Sequence, residues 1–256
     1  MAEQRGEPSS RPGREAAPAR PRRFYAAADV GERDGGFALL LDGRSAKTPS
    51  RRDLLLPSRA AAMALAAEWN LQREFIDPAL MPLTRISNTA IDGVAAQMRA
   101  VTDEVKTYLS SDLLVYRSAD PAALVTAEAE AWDPVLDWAR DAFGARFILS
   151  QGVTFVAQPP ATLAGMGDAV DAVVGEGPAA PFRLAALHVM TTLTGSAALA
   201  LAVMHAHLAP DVAWRLAHVD EVFQESRWGA DDEALERRAR RWTEMKAAAT
   251  LGLLAR

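Results

Sequence analysis

The sequence predicts an α+β protein: a small N-terminal domain, made of an antiparallel β-meander plus helix, is followed by an all-helical bundle. Two Asp-Gly pairs, Asp34-Gly35 and Asp42-Gly43, lie between short hydrophobic runs near the N-terminus, and Asp-Gly supplies the positive φ that tight hairpin turns need. After Pro57, apolar residues recur at spacings of three and four, which is the helical period. Hydrophobic residues make up 50% of the chain and aromatic ones only 7%. Much of the apolar count is alanine, which favours helix.

Three segments are expected along the 256 residues. We predict a disordered basic tail over residues 1–22, the small α+β domain over 23–100 and the helical bundle over 101–256. Residues 1–21 contain no Val, Ile, Leu, Phe, Trp or Tyr, so this segment cannot bury enough apolar surface to offset its ordering entropy. Six arginines against three glutamates give residues 1–23 a net charge of +3, which leaves −8 for the rest of a chain of net −5.

The N-terminal domain is expected to contain a meander of short strands and then a helix. The turn signals place strands near 23–30, 36–41 and 44–48, with Leu54–Leu56 as a fourth candidate. A helix should follow Ser58, a suitable N-cap residue, and run to about Glu74.

Helices are predicted for nearly all of the remainder. A helix over 87–107 follows an irregular stretch at 77–85, and short strand-like pieces are candidates at 112–117 and 147–156. Further helices are predicted over 121–143, 161–175, 181–194, 196–208, 210–228 and 231–254. The stretch from Leu184 to Leu208 is apolar on nearly all sides, which is typical of helices in a core.

Composition and motifs argue against most catalytic and cofactor chemistry. The chain contains no cysteine, which excludes disulfides, thiolate metal sites and a cysteine nucleophile. Phosphate-loop, dinucleotide-loop, nucleophile-elbow and zinc-protease motifs do not occur, and the four dispersed histidines do not suggest a metal site. No run of eighteen apolar residues is present to span a bilayer. The acidic body argues against nucleic acid as the main partner. We therefore expect no cofactor, no metal and no small-molecule substrate.

The segment 210–229 carries the most informative pattern. On a single helix it would present two stripes about 200° apart. One is Val212, Leu216, Val219 and Phe223, and the other is Trp214, His218, Glu221, Glu225 and Trp228. The first stripe would enter the core, while the second would form a tryptophan-edged acidic face suited to protein docking. The alternative is that the tryptophans pack against neighbouring helices and the glutamates are only solvated.

Blocks of sequence in a fixed order add a family resemblance. They are Arg23-Phe24-Tyr25, Leu41-Asp42-Gly43-Arg44, Lys47-Thr48-Pro49, Ala67-Glu68-Trp69-Asn70-Leu71-Gln72, Met81-Pro82-Leu83-Thr84, Asn88-Thr89-Ala90-Ile91-Asp92, Ser111-Asp112-Leu113-Leu114-Val115-Tyr116-Arg117, Trp132-Asp133-Pro134, Thr194-Gly195-Ser196, Asp220-Glu221-Val222-Phe223-Gln224 and Trp228-Gly229. In this order the chain resembles the assembly-factor family that chaperones the α subunit of the F1 sector of ATP synthase.

The resemblance implies a non-enzymatic chaperone that holds the free α subunit of F1-ATPase and prevents its aggregation before the β subunit joins. It also implies that the helical bundle is orthogonal, and it maps an acidic residue important in the family onto Glu221. The candidate client-binding residues are Glu221, Glu225, Trp214, His218, Gln224 and Trp228. A bacterial cytoplasm is the expected compartment, or the mitochondrial matrix if the source is eukaryotic.

Two other functions stay open at this point. The first is a carboxylate-dependent hydrolase, because folding can bring together two carboxylates that are distant in sequence. The second is a nucleic-acid-associated module that uses the arginine-containing tail.

Overall fold

The protein is described by a computed structural model over residues 20–256. Most of the predicted disordered tail, residues 1–19, lies outside the described residues. The last three residues of that segment lie against the chain at 74–77. Arg20 forms an ion pair of 3.0 Å with Asp77, and Arg22 forms an isolated antiparallel bridge with Phe75.

The strands and helices follow the predicted α+β order. The strands are β1 Ala28–Arg33, β2 Gly36–Leu41, β3 Arg44–Ser45, β4 Leu55–Leu56, β5 Tyr116–Arg117 and β6 Ser150–Gln151. The helices are α1 Arg59–Asn70, α2 Pro82–Asp92, α3 Met98–Tyr108, α4 Ala122–Phe143, α5 Pro160–Val174, α6 Ala180–Thr194, α7 Ala197–Met204, α8 Pro210–Leu216, α9 Val219–Trp228 and α10 Asp232–Leu254. The α+β class is therefore confirmed.

The N-terminal sheet is built around β2, which pairs antiparallel with β1, β3 and β4. The hairpin register runs from Ala28 opposite Leu41 to Arg33 opposite Gly36, with the first Asp-Gly turn between the strands. The second turn, at Asp42-Gly43, joins β2 to β3. The meander and its fourth strand are confirmed, although β1 covers Ala28–Arg33 rather than 23–30, and β3 and β4 are each only two residues long.

Helix α1 begins where predicted and packs against β1 and β2. Ser58 is its N-cap, because the Ser58 hydroxyl oxygen accepts a hydrogen bond of 3.1 Å from the Ala61 amide. The same hydroxyl donates to the Leu254 carbonyl at 2.6 Å, which links α1 to the end of α10. The buried Glu68 carboxylate accepts bonds of 2.8 Å from the amides of Leu83 and Thr84, and so caps the first turn of α2.

The single helix predicted over 87–107 is wrong. The chain forms α2 and α3, separated by Gly93 and a short 3₁₀ turn at Val94–Ala96. Val94 and Val105 are nonetheless both in the core, and Ile91, Met98 and Val101 pack against it. The apolar spacing continues across the break because α2 and α3 both direct their apolar side chains toward the core. Periodicity alone therefore cannot reveal the interruption.

The centre of the molecule is the helical pair α6 and α7. All eight residues of α7 are buried, and α6 packs against α2, α3, α5, α7 and α10. The buried Asp112 carboxylate accepts a bond of 3.1 Å from the Ala198 amide at the start of α7. This arrangement confirms the core position predicted for the apolar run, although α7 ends at Met204 rather than near residue 208.

The strand-like pieces predicted at 112–117 and 147–156 form a minimal pair. Tyr116 lies opposite Ser150 and Arg117 opposite Gln151, in a parallel two-stranded sheet. The predicted boundary between domains near residue 100 stays a prediction.

The single helix predicted over 210–228 is also wrong. Helix α8 ends at Leu216, and α9 begins at Val219 after Ala217 and His218. The break changes which side chains share a face, because the 200° relation between the two predicted stripes assumed a continuous helix. The stripe predicted to enter the core is only half-buried, whereas Trp214 and His218 from the other stripe are buried.

Candidate functional site

A groove of about 340 Å³ lies between α9 and the N-terminal half of α10. The residues that line it are His218, Glu221, Gln224, Glu225, Trp228, Gly229, Asp231, Ala234, Arg237, Arg238 and Arg241. Five of the six residues proposed from the sequence as client contacts lie along this groove. The sixth, Trp214, does not.

The turn between α9 and α10 makes the groove. Gly229 follows the last residue of α9 with φ +88°, a backbone conformation that L side chains rarely adopt. Asp231 is then the N-cap of α10, and its side chain accepts a bond of 3.2 Å from the Glu233 amide. The chain thereby reverses direction within a few residues, and the polar face of α9 comes to lie opposite the arginines of α10.

A two-armed ion pair joins the walls of the groove. Arg238 Nη1 lies 2.8 Å from Glu225 Oε1, and Arg238 Nη2 donates to Glu225 Oε2 at 2.8 Å. The hydrogen bonds to Glu225 raise the pKa of Arg238. This geometry is the bidentate pairing that makes arginine–carboxylate contacts both strong and directional.

Glu221 lies one turn before Glu225 and is less tightly engaged. Its Oε2 is 3.7 Å from Arg238 Nη1 and 3.8 Å from His218 Nε2. The Glu221 side chain is 58% exposed. A partner protein can therefore reach this carboxylate without displacing a short hydrogen bond.

Trp228 is the apolar element of the groove. Its side chain is 81% exposed at the end of α9. Large exposed tryptophans are unusual on a protein surface and are enriched among the residues that dominate protein–protein interfaces.

Trp214 is buried next to the groove and packs against His218, one of the residues that line it. The residue is 9% exposed, and its ring lies 4.0 Å from the His218 ring and 5.8 Å from the Trp242 ring, centroid to centroid. His218 Nδ1 is 2.7 Å from the Trp214 carbonyl oxygen. Because a carbonyl can only accept, Nδ1 donates this bond, which fixes the orientation of the imidazole. Burial lowers the pKa of His218, against the opposing effects of the Trp214 carbonyl and the Glu221 carboxylate.

Helix α9 is only partly buried against the rest of the protein. None of its ten residues is fully buried, and it packs chiefly against α4. On that side Asp220 meets the buried Glu128, whose two oxygens accept 2.8 Å and 2.5 Å bonds from the amide and hydroxyl of Ser118. Burial, together with the neighbouring Glu128, raises the pKa of Asp220 to about 6.

Three arginines form the second wall of the groove, which was not predicted from the sequence. Arg237, Arg238 and Arg241 all belong to α10, and the printed sequence shows them as a basic run at 237–241. That run was a usable signal, but its position opposite Glu225 depends on the turn at Gly229. The predicted acidic face is therefore one half of a surface with both signs of charge.

Neither a metal-binding group of side chains nor a membrane-spanning helix is found among the described residues. No group of three or more histidine or acidic side chains within residues 20–256 is arranged to hold a metal ion. Among the described helices, none combines the length and the apolar character needed to cross a bilayer.

Comparisons with known proteins place the chain in a family. The family model described as ATP12 chaperone protein matches residues 22–140. The solved structure of the Agrobacterium tumefaciens protein Atu1473 is 46% identical, with a TM-score of 0.88 over 92% of this chain and 87% of that chain. Atp12 from Paracoccus denitrificans is 40% identical, with a TM-score of 0.84 over 92% of this chain and 99% of that one. An aspartate-to-lysine variant of Atp12p from the same organism has a TM-score of 0.83 at 40% identity, over 92% of this chain and 98% of that chain. The chain therefore belongs to the ATP12 chaperone protein family, which agrees with the ATP synthase assembly chaperones that its sequence resembles.

Proposed function

We propose that this protein binds the free α subunit of F1-ATPase through the groove between α9 and α10, and that it keeps the subunit soluble until the β subunit replaces it. The observation that carries the proposal is Trp228, which is 81% exposed beside a groove lined by both carboxylates and arginines. In a typical protein–protein contact, an aromatic side chain that is exposed in the free protein becomes buried in the complex, and charged groups surround it.

The mechanism needs no bond to be made or broken. A protein that binds the unassembled subunit, and has no access to it after assembly, is released by mass action when a partner with a larger interface arrives. An unassembled subunit exposes apolar surface that promotes aggregation. Covering that surface is sufficient for a chaperone, so we propose that the protein is not an enzyme and acts in the cytoplasm of a bacterium.

The α9 side chains would have separate roles in capture. Trp228 would pack into an apolar depression of the client, and Glu221 would pair with a basic group on it. Gln224 lies between them along the groove and can donate or accept a hydrogen bond. Trp214 and His218 would act indirectly, because they are buried and support the helix ends beneath the groove.

The test uses purified free α subunit and, separately, assembled F1-ATPase. The wild-type chain should form a complex with the free subunit and reduce its light scattering on warming, and it should not bind the assembled enzyme. Trp228→Ala should weaken the complex at least about tenfold, as expected for a central aromatic anchor. Because the side chain is exposed, the melting temperature should stay near that of the wild type.

Matched variants separate the groove from general effects of charge and hydrophobicity. Glu221→Lys should weaken capture, whereas Glu236→Lys, an exposed carboxylate on α10 that does not line the groove, should not. Leu71→Ala is the control for Trp228→Ala. It removes another exposed apolar side chain, at the end of α1 and outside the groove. If free α subunit neither binds the wild-type chain nor stays soluble in its presence, the proposed function is wrong.

A further inference from the structure

A second cavity, of about 490 Å³, lies beside the N-terminal sheet and α1. It is lined by Phe24, Tyr25, Leu41, Asp42, Arg44, Ser45, Ala46, Lys47 and Trp69. These residues come from the start of the described chain, the second Asp-Gly turn, β3 and the end of α1. No residue of this cavity takes part in the groove between α9 and α10.

The aromatic residues of the cavity have their polar atoms engaged inside the protein. The Tyr25 hydroxyl donates to the Trp69 carbonyl at 2.8 Å, and Trp69 Nε1 donates to Thr84 Oγ1 at 3.0 Å. What these side chains offer to a ligand is therefore ring surface. Phe24 extends that surface outward, because it is 71% exposed and contacts Tyr25 edge-on at 5.5 Å between ring centroids.

The charged residues of the cavity leave a cation available. Asp42 accepts hydrogen bonds of 3.0 Å and 2.9 Å from the amides of Ala26 and Ala27, and Lys47 is paired with Asp53 at 2.6 Å. The exposed Arg44 guanidinium has no carboxylate within 4.0 Å among residues 20–256. Carboxylates are the partners that a guanidinium recognises best, so an acidic group is the complementary ligand.

A hydroxyl in the same cavity adds an independent observation. Ser45 Oγ is buried and has no hydrogen-bond partner within the described part of the chain. Buried hydroxyls are normally hydrogen-bonded, and leaving one without a partner is costly. An incoming polar group could satisfy this hydroxyl only if the Ser45 side chain turned toward the cavity, because Ser45 and Arg44 are adjacent on β3 and their side chains project to opposite faces.

We propose that this cavity is a second docking site, which takes a client segment carrying an acidic side chain next to an apolar or aromatic one. The inference rests on the proposed capture of the α subunit and adds a second contact to it. The apolar side chain would lie on Phe24 and in the cavity, and the carboxylate would pair with Arg44. A nucleic acid is a poor occupant, because a phosphate backbone needs several cations and the chain beyond residue 23 carries a net charge of −8.

Photo-crosslinking tests the position of the contact in the full-length chain. Phe24→benzoylphenylalanine should crosslink to purified F1 α subunit at a segment that contains Asp or Glu. Leu71→benzoylphenylalanine, at a residue that is 78% exposed but does not line the cavity, should give little product. If position 24 gives no α-subunit crosslink while Trp228→benzoylphenylalanine does, the second site is wrong and the proposed function stands. If neither position crosslinks and no complex forms, the proposed function itself fails.

Charge reversal tests the chemistry of the contact. Arg44→Glu should weaken binding of the free α subunit about tenfold or more and reduce the dependence of binding on salt, since a charge pair would be lost. Arg33→Glu, at an exposed arginine on strand β1 that does not line the cavity, is the matched control and should bind as the wild type does. Equal binding by the two variants, at unchanged melting temperatures, would overturn the proposal.

A variant that lacks residues 1–19 distinguishes the client from the chain's own tail as occupant. The proposal expects crosslinking from position 24 to the α subunit to persist in this variant. An intramolecular crosslink from position 24 to residues 1–19 in the presence of α subunit would overturn the proposal, because the tail would then be the occupant.

Discussion

Glu225 and Arg238 form a two-armed ion pair across the groove, with both oxygen–nitrogen distances at 2.8 Å. Their side chains are 24% and 21% exposed, so solvent screens the pair only in part. Because α9 has no fully buried residue, this pair is a principal link between α9 and α10. The position of Trp228, one turn after Glu225, depends on that link.

The pair should therefore contribute measurably to stability. In a double-mutant cycle with Glu225→Gln and Arg238→Gln, we expect a coupling free energy of about 1–2 kcal/mol, between the values typical of exposed and buried pairs. The reference pair is Arg240 and Glu236 on the exposed side of α10, with an N–O distance of 3.6 Å. Its coupling should be below about 0.5 kcal/mol.

Urea unfolding of seven chains, the wild type and three variants for each cycle, measures both coupling energies. Equal coupling in the two cycles would show that the bidentate geometry adds nothing. Client capture by Glu225→Gln should fall even where folding is intact, because α9 would no longer hold Trp228 beside the arginine wall.

The overall fold could be predicted because its signals are local. Asp-Gly turns specify the hairpins of the meander, and Ser58 and Asp231 supply the N-caps of α1 and α10. These features act over a few residues, so the printed sequence shows them directly. The helix breaks at Gly93 and at Ala217 were missed because the apolar spacing continues through them.

The candidate site could be predicted only in part. Glu221, Glu225 and Trp228 share the groove because α9 alone arranges them, and that is a local property. The opposing arginines were missed because Glu225 and Arg238 are 13 residues apart and meet only through the turn at Gly229. Burial of Trp214 depends on α10, through Trp242, and no local pattern reports it.

Two glycines of α5 give a matched test of packing. A Cβ at Gly165 would lie 2.4 Å from the Phe143 carbonyl oxygen, which belongs to the backbone of α4 and cannot move easily. A Cβ at Gly167 would be 3.7 Å from the nearest atom, in the flexible Lys106 side chain. Both positions lie in the same helix, so the propensity gain on replacing glycine by alanine is similar, about 0.5–1 kcal/mol.

We expect opposite signs for the two substitutions. Gly167→Ala should stabilise the protein by up to about 1 kcal/mol, and Gly165→Ala should destabilise it by about 1–3 kcal/mol because the clash outweighs the propensity gain. Urea unfolding monitored by helical circular dichroism measures both. Stabilisation by Gly165→Ala would show that α4 and α5 can separate at this contact without loss.

The carboxyl pair of Asp220 and Glu128 predicts a pH dependence of stability. Burial and the neighbouring Glu128 raise the pKa of Asp220 to about 6, against about 4 in an unfolded chain. Between about pH 4 and pH 6, the Asp220 carboxyl is therefore protonated in the folded state and ionised in the unfolded state. Stability from this group is complete below about pH 4, falls as the pH rises to about 6, and is constant above that.

Asp220→Asn should remove this loss, because an amide does not ionise and can donate a hydrogen bond to Glu128. Relative to the wild type, the variant should gain about 1–2 kcal/mol between pH 4 and pH 7.5, a value reduced for the partial exposure of Asp220. Burial also raises the pKa of Asp112 to about 6, so the pH dependence of the variant should shrink rather than vanish.

Urea unfolding at half-unit pH steps gives the difference between the two chains directly. The difference also cancels the opposing contribution of His218, whose pKa is lowered by burial and which stabilises the fold as the pH rises. Glu130→Gln, on the exposed side of α4, is the control and should follow the wild-type profile. A constant difference between Asp220→Asn and the wild type across the whole range would mean that folding does not raise the pKa of Asp220.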